Sequence, residues 1–274
     1  ARRLAMSPPA VTRCVAALEA RLGVKLLDRT TRYVRVTEAG QRYLDDARRI
    51  IAEVDEADEA VVGINGTPKG QLTVTAPVLF GKLFVTPVLV EYLQRYPQMD
   101  VNALFLDRVV NLMEEGVDVG VRIGELPDSS MKALRVGEVR RVLVAAPGYL
   151  AEHGMPGDPG DLVHHRIVAA TGVTPSVEWK FAQGRSVRLR PRLTVTSNEA
   201  AIEAVRAGFG VSRLMSYQVA SQVAAGELRV VMEDFEMPPL PIHVLHREGR
   251  HKSARVRTLV DLMVESLRGE NSTI

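Results

Sequence analysis

From residue 8 onward the apolar positions Val11, Val15, Leu18 and Leu22 recur four, seven and eleven residues after the first, the spacing of one face of an α-helix. Thr12, Arg13 and Ala16 fall on the opposite face. Ser7 suits the N-cap, where its hydroxyl can accept from an unpaired backbone N–H, and Pro8 suits the first helical position, where its missing N–H costs nothing. Residues 25–36 then alternate and break at Thr30-Thr31-Arg32, which predicts a β-hairpin. Thr37 is a second N-cap candidate, and 38–64 reads as one helix roughly 40 Å long. Its apolar seam is Tyr43, Ala47, Ile50, Val54, Ala57, Val61 and Ile64, at alternating intervals of four and three, a heptad stripe. So narrow a stripe with acidic flanks predicts pairing with the same helix of a second chain; packing onto its own domain is the alternative.

After Asn65-Gly66-Thr67-Pro68-Lys69-Gly70, a turn-rich hinge, the period changes. Strands are expected at 71–75, 101–106 and 117–123, with helices at 80–95, despite Pro87, and around 112–116. A second unit follows residue 143, with strands at 142–146, 185–196 and 211–214, a helix at 200–207, and a closing helix at 254–267 that packs back onto the first unit. Such alternation predicts an α/β fold of mostly parallel sheets with helices on both faces. The expected division is a head at 1–37, a helix and hinge at 38–66, and a two-lobed unit at 67–274, with lobe I at about 70–142 and 247–268 and lobe II at about 143–246.

Composition adds a charge gradient. The net charge of +2 conceals eight basic against two acidic residues in 1–37, then three basic against eight acidic in 38–66. A basic head on an acidic stalk fits a module that meets DNA phosphates. Arg29, Thr31, Arg32 and Arg35 of the hairpin are placed along the backbone beside the groove, and Ser7, Pro8, Pro9, Thr12 and Arg13 against base edges and nearby phosphates. One cysteine, Cys14, leaves no internal disulfide and fits a reducing cytoplasm. No apolar run approaches the ~18 residues of a membrane span.

The first forty residues strongly resemble the LysR-type transcriptional regulators of bacteria. Leu4-Ala5-Met6-Ser7-Pro8-Pro9-Ala10-Val11-Thr12-Arg13, Leu18-Glu19, the run from Leu22-Gly23-Val24 to Asp28-Arg29-Thr30, and Thr37-Glu38-Ala39-Gly40 carry the likeness, which continues more loosely to the end of the chain. In that family another helix precedes the one at residue 8; the chain starts without it and without Met, and reads as a truncated regulator. The resemblance implies a winged helix-turn-helix, a dimerising linker helix, and a two-lobed effector domain similar to periplasmic solute-binding proteins. It further implies a cytoplasmic homodimer or homotetramer that binds double-stranded DNA and answers a small-molecule effector, without catalysis or cofactor. The alternative is a solute-binding or enzymatic α/β protein whose head serves only assembly.

Ligands of open α/β sheets bind at the carboxyl ends of strands. Those ends are expected at Thr75 to Phe80, Arg122-Ile123-Gly124, Ala145-Ala146-Pro147 and Ser197-Asn198-Glu199. The predicted effector site is Thr75, Pro77, Phe80, Arg122, Ser197 and Asn198, with a helix N-terminus near Asn198 favouring a small anion such as a carboxylate. Ser197 or Asn198 acting only as an N-cap is the competing reading, as is an ion pair of Arg122 with Asp118 or Glu125. Other motifs fall away. Ser129-Ser130-Met131-Lys132 lacks the companion elements of serine β-lactamases, and Gly81-Lys82 lacks the rest of a phosphate loop. Asn65-Gly66-Thr67 is a glycosylation sequon without any sign of secretion. His243 and His246 point to opposite faces of one strand, so no metal site is expected. Trp179, the only tryptophan, reads as core.

Overall fold

A computed structural model describes residues 6–29, 33–44, 46, 47, 50, 51, 54, 67–108, 115–126, 131–170, 178–247 and 253–269. Thr31 and Arg32 of the hairpin, and Ala57, Val61 and Ile64 of the predicted seam, lie outside these residues, as does most of the helix expected at 112–116.

The head begins with helix α1, Pro8–Leu22. Ser7 caps it as its sequence position predicts, its Oγ accepting from the Ala10 N–H at 3.4 Å, and Gly23 ends it at φ 68°, a left-handed conformation that costs glycine little. Strands β1, Leu27–Arg29, and β2, Val34–Val36, form the antiparallel hairpin. Glu19 joins the two parts. It is only 6% exposed, and its Oε1 accepts from the N–H groups of Leu26 (2.8 Å) and Leu27 (3.0 Å) while Oε2 meets Lys25 at 3.2 Å. The Leu27 and Leu26 N–H groups, which bind the charged form, hold its carboxyl below the usual range.

Helix α2 starts after Thr37 and is helical at 38–44, 46, 47, 50, 51 and 54. Thr37 donates through Oγ1 to the Lys25 carbonyl at 2.8 Å and accepts there from Gly40 N–H at 2.9 Å, so one hydroxyl caps α2 and ties it to the hairpin. A Cβ on Gly40 would stand 2.0 Å from the Leu26 carbonyl oxygen, so only glycine permits this approach. The apolar face of α1 is half-covered: Val11, Val15 and Leu18 are half-buried and Leu22 is exposed. On α2, Tyr43 and Ala47 are half-buried, whereas Ile50 and Val54 are 56% and 55% exposed.

Two five-stranded sheets make up most of the remainder. The first orders β4 (Met99–Phe105), β3 (Gly70–Ala76), β5 (Val119–Ile123), β14 (Leu240–Arg247) and β6 (Met131–Val139). The second orders β11 (Leu193–Val195), β8 (Ile167–Ala170), β12 (Val211–Met215), β7 (Arg141–Ala145) and β13 (Arg229–Val231). Each has a parallel half, β4-β3-β5 and β11-β8-β12, and an antiparallel half. Four of the five strands in each sheet therefore run the same way, as the expectation of mostly parallel sheets has it, and β14 and β7 are the exceptions. β7 enters its sheet directly from the other lobe and β14 after only a short 3-10 turn, Glu233–Phe235, rather than over a long crossover helix, and both run against the parallel strands. β14 belongs to the first sheet, which moves the return to lobe I ahead of residue 240; the outward crossing is the single residue Arg140 between β6 and β7. A separate antiparallel ribbon of β9 (Glu178–Lys180) and β10 (Ser186–Arg188) carries Trp179.

Pro87 fits because the helical run changes type. Residues Val78–Phe80 (α3) are followed by a π segment, Gly81–Val85, and then by α4, Thr86–Arg95, with Pro87 in its first turn. In the second lobe α5 (Pro147–His153) follows β7. The closing helix α8, Ala254–Gly269, packs on α4, β6 and β14 as expected, with Leu259, Met263 and Leu267 buried and Tyr92 Oη donating to the Arg255 carbonyl at 2.9 Å.

Two substitutions test the joint of the head. Gly40→Ala should cost about 1–3 kcal/mol through overpacking, read by thermal or urea melts. Glu19→Gln should remove a pH-dependent increment. Because the folded carboxyl titrates below its unfolded value, that increment is complete above the ordinary glutamate range and disappears as pH falls through the folded value. Wild-type and Glu19→Gln melts should converge in acid and separate near neutrality.

Candidate functional site

Ser7, Pro8, Pro9, Thr12 and Arg13 are all exposed at the N-terminal half of α1. Arg29 and Arg35 are exposed on the hairpin, Arg35 with its guanidinium 5.0 Å from the Tyr33 ring. α1 thus presents proline, threonine and arginine side chains rather than its apolar face, and Glu19 holds the basic hairpin to the same helix. Cys14 is exposed on α1.

The lobes meet where β3, β4 and β5 end and α6 (Asn198–Arg206) and α7 (Ser216–Ala224) begin. Phe80 of α3 is fully buried, with ring centroids 4.8 Å from Phe84 and 5.4 Å from Tyr217 of α7, the latter edge-on. Burial drives the Tyr217 hydroxyl's pKa up, with Asp107's charge adding to it, so the phenol stays neutral. Beside these rings Asp107, just past β4, bridges the lobes. Its Oδ1 accepts from Val78 N–H at 3.0 Å, and its Oδ2 from Asn198 Nδ2 at 3.2 Å.

The six predicted effector residues divide accordingly. Asn198 lies in the seam, and Pro77 precedes α3, its carbonyl accepting from Gly81 N–H at 2.7 Å. Ser197 caps α6, its Oγ accepting from Ala200 N–H at 3.1 Å, so the capping alternative describes its hydroxyl. Phe80 is core of the seam. Thr75 is fully buried and donates to the Leu104 carbonyl at 2.7 Å, which commits its hydroxyl to the sheet. Arg122 is half-buried at the end of β5. Nη1 returns to the Val121 carbonyl at 2.9 Å, and Nη2 is buried without a hydrogen-bond partner among the described residues. Burial lowers its pKa, and the opposing carboxylate, Glu115, is already held by Arg108 in a two-point pair at 2.7 and 2.8 Å. Asp118 accepts from Thr73 N–H at 2.7 Å instead. Ala145-Ala146-Pro147 is misplaced by the sequence pattern. β7 runs against β12, with Ala145 opposite Val211 and Arg141 opposite Met215, so its carboxyl end points away from the seam.

Sequence reasoning missed Asp107, although it is among the first polar residues after a predicted strand end. It also missed Glu19 as a joint, Tyr217, and the pairing of Arg213 with Trp179, whose ring lies 5.0 Å from the guanidinium. Trp179 is core as expected, 5% exposed. Among the described residues no group of three or more His, Cys, Asp or Glu could hold a metal ion, and no helix is long and apolar enough to cross a membrane.

Two family models match this arrangement: the bacterial regulatory helix-turn-helix protein, lysR family, over residues 1–41, and the LysR substrate binding domain over 65–268. The chain belongs to the LysR family. It is a helix-turn-helix transcriptional regulator with an effector-binding domain. The LysR-type regulator is 31% identical over 270 residues to the HTH-type transcriptional regulator CrgA of Neisseria meningitidis, covering 97% of this chain and 90% of CrgA. It is 30% identical over 269 residues to the HTH-type transcriptional activator AaeR of Escherichia coli, covering 97% and 87%. Among solved structures, CrgA superposes with a TM-score of 0.67 at 30% identity over 97% of this chain and 92% of that one. The full-length structure of AphB, a Vibrio cholerae virulence activator, gives 0.67 at 26% identity over 95% and 90%.

A double-mutant cycle tests the lobe bridge of this LysR-type regulator. Asp107→Ala leaves the Val78 N–H and the Asn198 amide without their acceptor and should cost about 1–3 kcal/mol in urea melts. Asp107→Ala and Asn198→Ala should couple by about 0.5–1.5 kcal/mol. Additive effects would mean that the bridge contributes nothing in solution.

Proposed function

We propose that this regulator reads operator DNA with α1 and the hairpin, as a dimer or tetramer built through α2, and changes its DNA contacts when a small molecule enters the seam between the lobes. The observation that carries this reading is the bridge from Asp107 to Val78 and Asn198: one side chain joins the strand ends of one lobe to the first turn of α6 in the other. A ligand competing for those donors would alter the relation of the lobes, and an equilibrium of that kind shifts by the ligand's differential affinity for the two arrangements. Pro77, Asn198 and Asp107 are the proposed contacts, with Ser197 and Arg122 at their margins. The carboxylate expected from the α6 N-terminus meets Asp107's own negative charge here, so an effector carboxylate would have to take Asp107's place. The protein acts by binding rather than catalysis, needs no cofactor, and works in the cytoplasm.

The discriminating experiment is operator binding by the full chain at several salt concentrations, on specific and random duplexes. Arg13→Ala should cost about 1–3 kcal/mol and relax specificity if Arg13 reads a base edge, or weaken all sequences alike and lower the salt slope by about one if it meets phosphate. DNA binding that neither depends on salt nor discriminates specific from random duplexes would favour the alternative, a solute-binding protein with an assembly head. Replacing Ile50 and Val54 by Asp places like charges across the proposed α2 pair and should give monomers in sedimentation. An unchanged oligomer would move the contact elsewhere.

A further inference from the structure

On the second sheet two arginines share one face without a counter-ion among the described residues. Arg213 on β12 stands opposite Leu143 of β7, and Arg141 lies two residues before Leu143, so the arginines are diagonal cross-strand neighbours, close enough for long side chains to meet. Both are half-buried. Arg213 lies over the face of Trp179 and gives one long hydrogen bond from Nη1 to the Lys180 carbonyl at 3.3 Å. Among the described residues the side chain of Arg141 has no hydrogen-bond or ion-pair partner. The neighbouring carboxylates Glu233 and Glu236 are turned to Arg140, each at 3.7 Å. Burial first, and then the charge of Arg141, push Arg213 down to about 10, and burial lowers Arg141 as well. Two like charges withdrawn from water and unpaired are costly, and proteins ordinarily pair such groups.

Their place is also specific. Arg141 is the first residue of β7 after the one-residue crossing from lobe I, and Met215 opposite it precedes α7, whose Tyr217 packs on Phe80. We propose that Arg141 and Arg213, roofed by Trp179, form a binding site for a small dianionic oxyanion, a dicarboxylate or a phosphate. Two forked guanidinium groups match two negative charges and bind carboxylate or phosphate oxygens in pairs. The proposal does not rest on the regulatory reading, because binding is measured without DNA.

Trp179 is the only tryptophan of the chain, so intrinsic fluorescence of the full chain reports on this site directly. The chain is titrated with succinate and, separately, with inorganic phosphate at constant ionic strength, with acetate as the monoanion control. A saturable change is expected with one or both dianions, and acetate should bind at least about tenfold more weakly, as expected when one charge-assisted partner is lost. Arg213→Gln and Arg141→Gln should each weaken binding by about tenfold or more, while Arg141→Lys should lose less. Arg141→Gln removes no internal bond. Without ligand it should therefore melt no lower than the parent, which keeps the test decisive should Arg213→Gln fold poorly. A response to succinate alone assigns a dicarboxylate, and one to phosphate alone a phosphate group. No saturable change with either dianion, an unchanged affinity in Arg141→Gln, or a lower melting temperature of unliganded Arg141→Gln would overturn the proposal.

Discussion

The seam between the lobes depends on a carboxylate placed beside buried aromatic rings. Phe80, Phe84 and Tyr217 exclude water where α3 meets α7, and next to them Asp107 accepts from one donor of each lobe. The rings supply apolar contact with little directional preference, whereas the two hydrogen bonds prefer one geometry. Hydrogen bonds to a charged acceptor contribute more than neutral ones, and a buried donor left without its acceptor is penalised. The seam therefore favours one arrangement of the lobes. The chain crosses between lobes at Arg140 and again between β13 and β14. Those crossings set the antiparallel halves of both sheets and bring the ends of β3, β4 and β5 to face the first turns of α6 and α7.

A comparable economy governs the head. Glu19 accepts from two consecutive backbone N–H groups at the start of the hairpin, and Thr37 both caps α2 and reaches back to Lys25. Three elements are thereby fixed by two side chains and by the close approach that Gly40 allows. α1 is left to present Ser7, Pro8, Pro9, Thr12 and Arg13 outward. The charge gradient then has a mechanical sense: the basic side chains sit on the elements that these contacts orient, and the acidic residues follow on the stalk.

Local chemistry made much of this legible in advance. The Ser7 cap with Pro8, the hairpin around 30–32, Thr37 before a helix, and the strand and helix succession from residue 70 follow from periodicity and end signals, which act over a few residues. The motif residues of α1 and the hairpin carried the family as well, because their order and spacing leave few other readings. β6 at 131–139, by contrast, offers Lys132, Arg135 and Glu138 among its apolar positions, and its pattern was not read as a strand. The N-cap role of Ser197 is a local alternative that the sequence displays, whereas the Leu104 carbonyl that takes the Thr75 hydroxyl lies 29 residues away and is not legible there.

The sequence by itself determined many of the helices and strands, where several of them start and stop, and what family of regulator they compose. Those properties depend on neighbours within one or two turns. Only the tertiary structure decided that β7 and β14 run against their sheets, that Ala145–Pro147 faces away from the seam, that Asp107 bridges Val78 and Asn198, and that Arg141 and Arg213 share a face. Asp107 and Asn198 are separated by 91 residues along the chain. Contacts of that separation are set by how sheets pair and lobes cross, which local periodicity does not encode.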